Sequence, residues 1–349
     1  VNLLARHQHR VINGYVYRTY RSYYYVTPFK YFSLSLIKSS QINFLYCEMI
    51  KFDNFSTAYQ KKIVEFINSV NDSFNSPKKL TDVFFGQTIN VPPSSPETDC
   101  YIASINNNVF GFLQIVEEPS VKRIVGLQTI RKESNFAEIF QNFLTISVRH
   151  ATLTGAKVIH FQISQNDHES KKVLESSGWH KIKTYWNLRF EETHLEDLVL
   201  PDGYSLRHFV KGKDENTLTD LQNQSFGNHW GFSPNDIEQI RYRTQMERTN
   251  DKGIIFIEKN GEIAGYNWTM EAHHGASSVG WVAMTGVHPN YRGLRLGRAV
   301  VLAGMHYLKS KNISGIELEV DSENIPATKL YNSIGFRKIN QTYWYEKSM

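Results

Sequence analysis

Apolar and polar positions alternate most clearly in the second half of the chain. Tyr204 to Val210 reads as a strand. Asp214 to Phe226 and Pro234 to Met246 carry the three-to-four-residue spacing of helices, the second opened by Ser233 as an N-cap. Gly253 to Glu258 and Ile263 to Met270 flank Asn260-Gly261, a pair suited to two successive positive φ angles, which predicts a hairpin. Ser278 to Val287 is the next strand, and a long helix from about Arg292 to Lys309 follows it. A strand from Gly315 to Val320, with Ile316, Leu318 and Val320 on its buried face, leads to a helix from about Ile325 to Ser333 and to strands between Phe336 and Glu346. Strands outnumber helices, which predicts an α/β class fold built on a mixed sheet.

The pattern occurs twice. Ser170 to Ile182 resembles Ala327 to Ile339 at an offset of 157 residues, each reading as a short helix, a Gly stop and an aromatic-led strand. The same offset, without gaps, places Ile130 on Val287 and Leu144 on Val301, and the strand Val158 to Ile163 falls near Ile316 to Val320. Two copies of one α/β unit follow, over residues 49–200 and 201–349, with the boundary near Pro201-Asp202-Gly203 and a core in each.

The formal charge of +5 invites a nucleic-acid partner, but the surplus is local. Residues 1–47 hold Arg6, Arg10, Arg18, Arg21, Lys30 and Lys38 and no Asp or Glu, and the rest of the chain has 33 basic residues against 34 acidic. This leader starts on Val, is crowded with Tyr, Phe, Ser and Asn, and has neither periodicity nor a cleavable apolar core. It is expected to be poorly ordered, as a translated region upstream of a start at Met49 or as a transit peptide. No run reaches the roughly 18 apolar residues of a membrane helix. Cys47 and Cys100 have no metal-ligand spacing, so neither a disulfide scaffold nor a zinc site is expected, and a reducing, cytoplasmic setting is.

The chemistry concentrates in Val287 to Val301, where an apolar strand passes through a turn rich in Gly and Arg into an apolar helix. A helix that starts there leaves its first N–H groups unpaired and presents the positive end of its dipole, so a diphosphate satisfies both. Gly293 and Gly297 allow close approach to the backbone.

The order of elements, the Val-x-Pro-x-x-Arg-x-x-x-x-Gly turn at Val287 to Gly297, Asn324 after the fifth strand, and Leu330-Tyr331-x-x-x-Gly335-Phe336 together resemble the GNAT superfamily of acetyl-CoA-dependent N-acyltransferases. The likeness is specific over residues 204–347 and weaker over 50–192, and tandem chains such as mycothiol synthase are similar in arrangement. By that resemblance Thr285, Gly286 and Val287 lie where a backbone N–H polarises the thioester carbonyl. Arg292, Gly293, Leu294, Arg295, Leu296, Gly297 and Arg298 form the pyrophosphate turn. Asn324 meets the pantetheine arm or simply caps its helix, and Tyr331 is the acid that protonates the CoA sulfur, against the ordinary reading of a core Tyr. The family turn has Gly where this chain has Arg295; in a left-handed conformation that costs about 1 kcal/mol, which pairing with phosphate would offset.

A general base is less evident. Family members often carry a Glu on the strand before the turn, and Ser278 to Met284 offers none; Glu271, His273, His274, Glu317, Glu319 and Asp321 are the nearby candidates, or a relayed water. Trp230, Trp268 and Trp281 suit an acceptor pocket or the core. In the first copy Asn135, Phe140, Lys132 and Leu174 stand at the offset positions of Arg292, Gly297, Pro289 and Tyr331, which makes it a degenerate, supporting copy. The expected function is a metal-free transfer of acetyl from acetyl-CoA directly to a primary amine of a small molecule or peptide, by a monomer or homodimer with no nucleic-acid or membrane partner. A non-catalytic acetyl-CoA-binding regulator and, more remotely, an aminoacyl-tRNA-dependent transferase are the rivals.

Overall fold

The computed structural model describes residues 10–12, 15–17 and 49–349, except 74–78, 275–276, 312 and 314. Of the leader it describes only β1 (Arg10–Ile12) and β2 (Tyr15–Tyr17), which pair with each other; the remaining expectations for that segment lie outside the described residues.

The first copy runs β3 (Lys51–Asn54), α1 (Gln60–Ser73), α2 (Asp82–Ile89), α3 (Pro96–Asp99), β4 (Cys100–Ile105), β5 (Asn108–Glu118), β6 (Arg123–Ile130), α4 (Phe136–Thr154), β7 (Val158–Ser164), α5 (His168–Ser176) and β8 (His180–Phe190). The second runs β9 (Ser205–His208), α6 (Glu215–Phe226), α7 (Ile237–Arg243), β10 (Thr249–Lys259), β11 (Glu262–His274), β12 (Ser277–Val287), α8 (Leu296–Lys309), β13 (Gly315–Asp321), α9 (Ile325–Ile334) and β14 (Arg337–Ser348). Asn260 and Gly261 sit at φ 53° and 82°, the geometry of a tight hairpin between β10 and β11. Gly335, at φ 114°, ends α9 in the left-handed conformation.

Several expected boundaries move, the hairpin strands among them, which extend back to Thr249 and on to His274. The second helix of the later copy starts at Ile237, because Asp236 and Gln239 form a reciprocal capping box; Ser233 instead lies 3.1 Å from Ser120 of the first copy. The long helix starts at Leu296 and not near Arg292. The final strands are one, β14.

All strands from β3 to β14 join a single sheet in the order β3-β4-β5-β6-β7-β14-β8-β13-β12-β11-β10-β9. The last strand of each copy is therefore built into the other: β14 pairs with β7, β8 pairs with β13, and the two exchanged strands pair with each other, all antiparallel. Their register is symmetric under the sequence repeat. Tyr185 faces Thr342, the pair Thr184–Tyr343 is mirrored by Trp186–Gln341, and Gln162–Trp344 is mirrored by Asn187–Glu319. The cores follow the exchange: Leu188 and Phe190 of β8 are buried with α8, α9 and β13, whereas Tyr345 of β14 is buried with α4 and β7. We propose residues 49–200 and 201–349 as the two units, with the extended linker after β8 between them.

Helices cover both faces of the second copy. Tyr266 and Trp268 of β11 pack with α6 and α7, while Asn267 between them presses on α8 at Gly304, in keeping with the period of two. The halves also touch through α7, whose Tyr242 hydroxyl donates to the Gln87 carbonyl at 3.0 Å and whose Gln239 donates to the Pro92 carbonyl at 3.0 Å. In the first copy Gly126 of β6 faces Phe161 of β7, and a β-carbon there would lie 2.2 Å from the Phe161 ring. Gly126→Ala is accordingly expected to lose about 1–3 kcal/mol by overpacking, read as a lower denaturant midpoint at unchanged slope.

Candidate active site

The segment between β12 and α8 is shaped by two left-handed residues. After a 3-10 turn at Pro289–Tyr291, Gly293 takes φ 83° with open space around it and Arg295 takes φ 61° as the N-cap of α8. This turn occupies the residues expected to be the first turn of the helix. Arg295 thus pays the predicted cost of about 1 kcal/mol for a side chain in that conformation. Its side chain offers no cap, and among the described residues the backbone N–H groups of residues 293–298 have no acceptor. Six consecutive N–H donors at the positive end of a 14-residue helix suit an anion. In the first copy the position of Gly293 is taken by Phe136, whose N–H donates to the Glu133 carbonyl at 2.9 Å and which already opens α4. Glu138 already neutralises the start of α4, and Phe140 and Leu174 are fully buried.

The three arginines divide. Arg292 donates to the Ser225 carbonyl at 2.7 Å and to the Val287 carbonyl at 3.3 Å, which ties the end of α6 to the end of β12. Arg298 is held by Glu196 of the linker and by Ser333 of α9. Only Arg295 among them is exposed with no hydrogen bond or ion pair among the described residues. Leu294 is exposed and Leu296 anchors the core beneath. At Gly297 a β-carbon would meet Leu330 at an ordinary 3.6 Å, so the helix tolerates Ala there, and what the glycine leaves open is the space beside the donors.

Beside the turn the sheet opens. β12 and β13 run parallel and pair only over Val279–Trp281 with Gly315–Glu317. Beyond Trp281 they separate, a register shift follows between Trp268 and Thr269 of the neighbouring β11, and Thr285, Gly286 and Val287 stand at the wide end of the gap. Thr285 donates to the Tyr266 carbonyl at 3.1 Å, and Gly286 is crowded by Ser225 and Tyr266, each 2.9 Å from where its β-carbon would be. Tyr331, from α9, is buried, its ring edge-on to Phe336 at 5.8 Å, and burial pushes its hydroxyl up to about 12. Tyr266, from the opposite side of the sheet, is fully buried with a hydroxyl that has no partner among the described residues; burial raises its pKa, and Tyr331 adds to the rise. Asn324 caps α9 by accepting from Ala327 N–H at 3.2 Å.

The candidate bases scatter. Glu271 accepts from Tyr307 at 2.6 Å, eleven residues along α8 from its start and so about 16 Å from the turn at 1.5 Å per residue. Glu317 is buried with Arg189 at 3.3 Å, Glu319 accepts from Gln162 and Thr342, and Asp321 holds Lys183 at 3.2 Å. The side chains of His273 and His274 lie outside the described residues. Trp268 belongs to the core, Trp281 is half-buried in β12, and Trp230 lies across the central strands near His160, Tyr185 and Trp344. Two residues escaped the sequence reading: Tyr266, which looks like any core aromatic, and His229, which no periodicity marks.

Residues 216–336 match the Acetyltransferase (GNAT) family. This part of the chain is a GNAT domain. It spans the gap, the turn and Tyr331 together. The mycothiol acetyltransferase of Arthrobacter sp. (strain FB24) is 29% identical over 188 residues, covering 52% of this chain and 58% of that protein. That of Amycolatopsis mediterranei (strain U-32) is 33% identical over 145 residues, covering 40% and 48%. The chain thus spans about three fifths of the length of the first curated relatives it matches. Among solved structures, a GCN5-related N-acetyltransferase from Sphaerobacter thermophilus superposes with a TM-score of 0.64 at 16% identity over 86% of this chain and 95% of that one. A tandem GNAT protein from the clavulanic acid biosynthesis pathway does so with 0.65 at 12% identity over 86% and 98%. Both likenesses support two GNAT folds in tandem.

Proposed function

We propose that the chain is an N-acetyltransferase that moves the acetyl group of acetyl-CoA directly to a primary amine of a small molecule or peptide. The observation that carries this reading is the row of six N–H donors, without an acceptor among the described residues, that follows β12 where its pairing with β13 has ended. The donors and the exposed Arg295 would hold the pyrophosphate. A backbone N–H near Val287 would polarise the carbonyl, Asn324 would orient the pantetheine arm, and Tyr331 would protonate the sulfur. Arg292 and Arg298 brace the turn and leave the phosphate to Arg295 and the backbone. The mycothiol acetyltransferase relatives support a small-molecule acceptor, and the first copy serves as a non-catalytic support. No helix among the described residues is long and apolar enough to cross a membrane; we take the chain to act in the cytoplasm as a monomer or homodimer.

Calorimetric titration of acetyl-CoA into the full chain should show one site per chain. Gly297→Arg, which fills the space beside the donors, should weaken that site by at least about 30-fold, the loss of roughly two charge-assisted hydrogen bonds, with the melting temperature little changed. Two sites would restore the first copy as a binder, and no site would sink the reading. Binding without CoA release on any primary amine would favour the regulatory alternative.

A further inference from the structure

The missing base has a candidate in the loop after α6. The end of α6 sits on the end of β12, where Ser225 crowds Gly286 and accepts from Arg292 at 2.7 Å. Five residues on, Trp230 lies over β8 and β14, with ring centroids 6.2 Å from Tyr185 and 5.7 Å from Trp344. In the sheet order β13 lies between these two anchors, so the loop must cross the gap between β12 and β13. His229 stands in that crossing. Its backbone is fixed by a 2.7 Å donation to Phe226 and a 3.3 Å bond accepted from Phe232, and its ring rests 5.1 Å from that of Phe226. One side of His229 is open to solvent while the other is partly buried, and its ring nitrogens make no hydrogen bond among the described residues.

Resting on the acetyl-transfer reading above, we infer that His229 is the general base that takes the proton from the acceptor ammonium. Two charged groups act on the ring, one from each lip of the gap: Arg292 of the cofactor turn and Asp321 at the end of β13. Burial and then Arg292 lower its pKa below the ordinary 6.5, with Asp321 opposing, so the imidazole is neutral and ready to accept a proton at pH 7. Asp321 itself is tied to Lys183 and to the Glu323 N–H.

The proton count closes. A ring nitrogen of His229 takes one proton from the ammonium, and the freed lone pair forms the C–N bond to the thioester carbonyl carbon. The C–S bond breaks, and the sulfur takes the proton of Tyr331. The phenolate recovers a proton from the new amide nitrogen, and His229 returns its own to water, one proton released for each acetyl moved.

The test is the pH dependence of CoA release by the full chain from acetyl-CoA with glucosamine, L-cysteine ethyl ester and 1,5-diaminopentane as amine probes. With the fastest probe, kcat/KM should rise to its plateau through an inflection below pH 6.5, the sign expected of a base with a lowered pKa. In His229→Ala the rise should move up to the probe's own ammonium ionisation. The rate at pH 6.5 should fall by about 10²-fold or more, with partial rescue by added imidazole and acetyl-CoA binding unchanged. His229→Gln, which keeps the loop filled, should behave alike and decides the matter if the Ala variant no longer binds acetyl-CoA. Wild-type rate and profile in His229→Gln would overturn the inference alone. No CoA release by the wild-type chain with any probe would overturn the acetyl-transfer reading and the inference with it.

Discussion

Tyr331→Phe is expected to lower kcat by about 10²–10³-fold while acetyl-CoA binds as before. The substitution removes one oxygen and leaves the ring edge-on to Phe336 within the core shared by α8, α9 and β13. What is lost is the proton for the departing sulfur. Burial is the cause of the raised pKa, about 12, and the direction matters: the group stays protonated through the neutral range and remains an acid up to strongly alkaline pH. No descending limb from Tyr331 should therefore appear in the rate profile below about pH 10. Single-turnover rates beside a calorimetric titration separate the two effects. Unchanged kcat in the Phe variant would return Tyr331 to the core and leave the sulfur to be protonated by water.

Residues 201–349, expressed alone, are expected not to fold as a soluble monomer. In the intact chain β8 stands between β13 and β14, so excision removes the strand that both of them pair with. It also strips Leu188 and Phe190, each about 1% exposed, from the core around α8 and α9. At about 2 kcal/mol for each fully buried large apolar side chain, the lost transfer alone is about 4 kcal/mol, before counting the open edge. That is a large part of the 5–15 kcal/mol typical of a folded domain. Circular dichroism and size-exclusion chromatography check this, with aggregation or an exchanged dimer as the expected outcomes. A stable monomeric fragment with native-like melting would show that β14 can pair with β13 directly.

The hairpin at Asn260-Gly261, the strand before the turn and the body of the helix after it were legible, because each depends on residues adjacent in sequence, whereas a left-handed Arg295 followed only from the glycine that the family turn has at that place. The 157-residue repeat was legible for the same reason. Alternation, however, reports which residues share a face and says nothing of which strand lies alongside, so β8 and β14 could have been placed within their own copies as easily as across. Arg292 and Arg298 read as phosphate ligands, yet their partners Ser225 and Glu196 lie 67 and 102 residues away. His229 acquires its place only when the loop is seen to span the gap. Glu271 looked close because it follows the expected end of a neighbouring strand at Met270, but it pairs with Gly280, at the far end of β12 from the turn.

The strand exchange also sets an order of events during synthesis. β7 gains its outer neighbour only when β14 has been made, about 170 residues later. Until then the first copy waits on the ribosome with an open edge and without the Tyr345 side chain that completes its core. A premature stop between β13 and β14 would thus damage the half of the molecule that had already been translated in full.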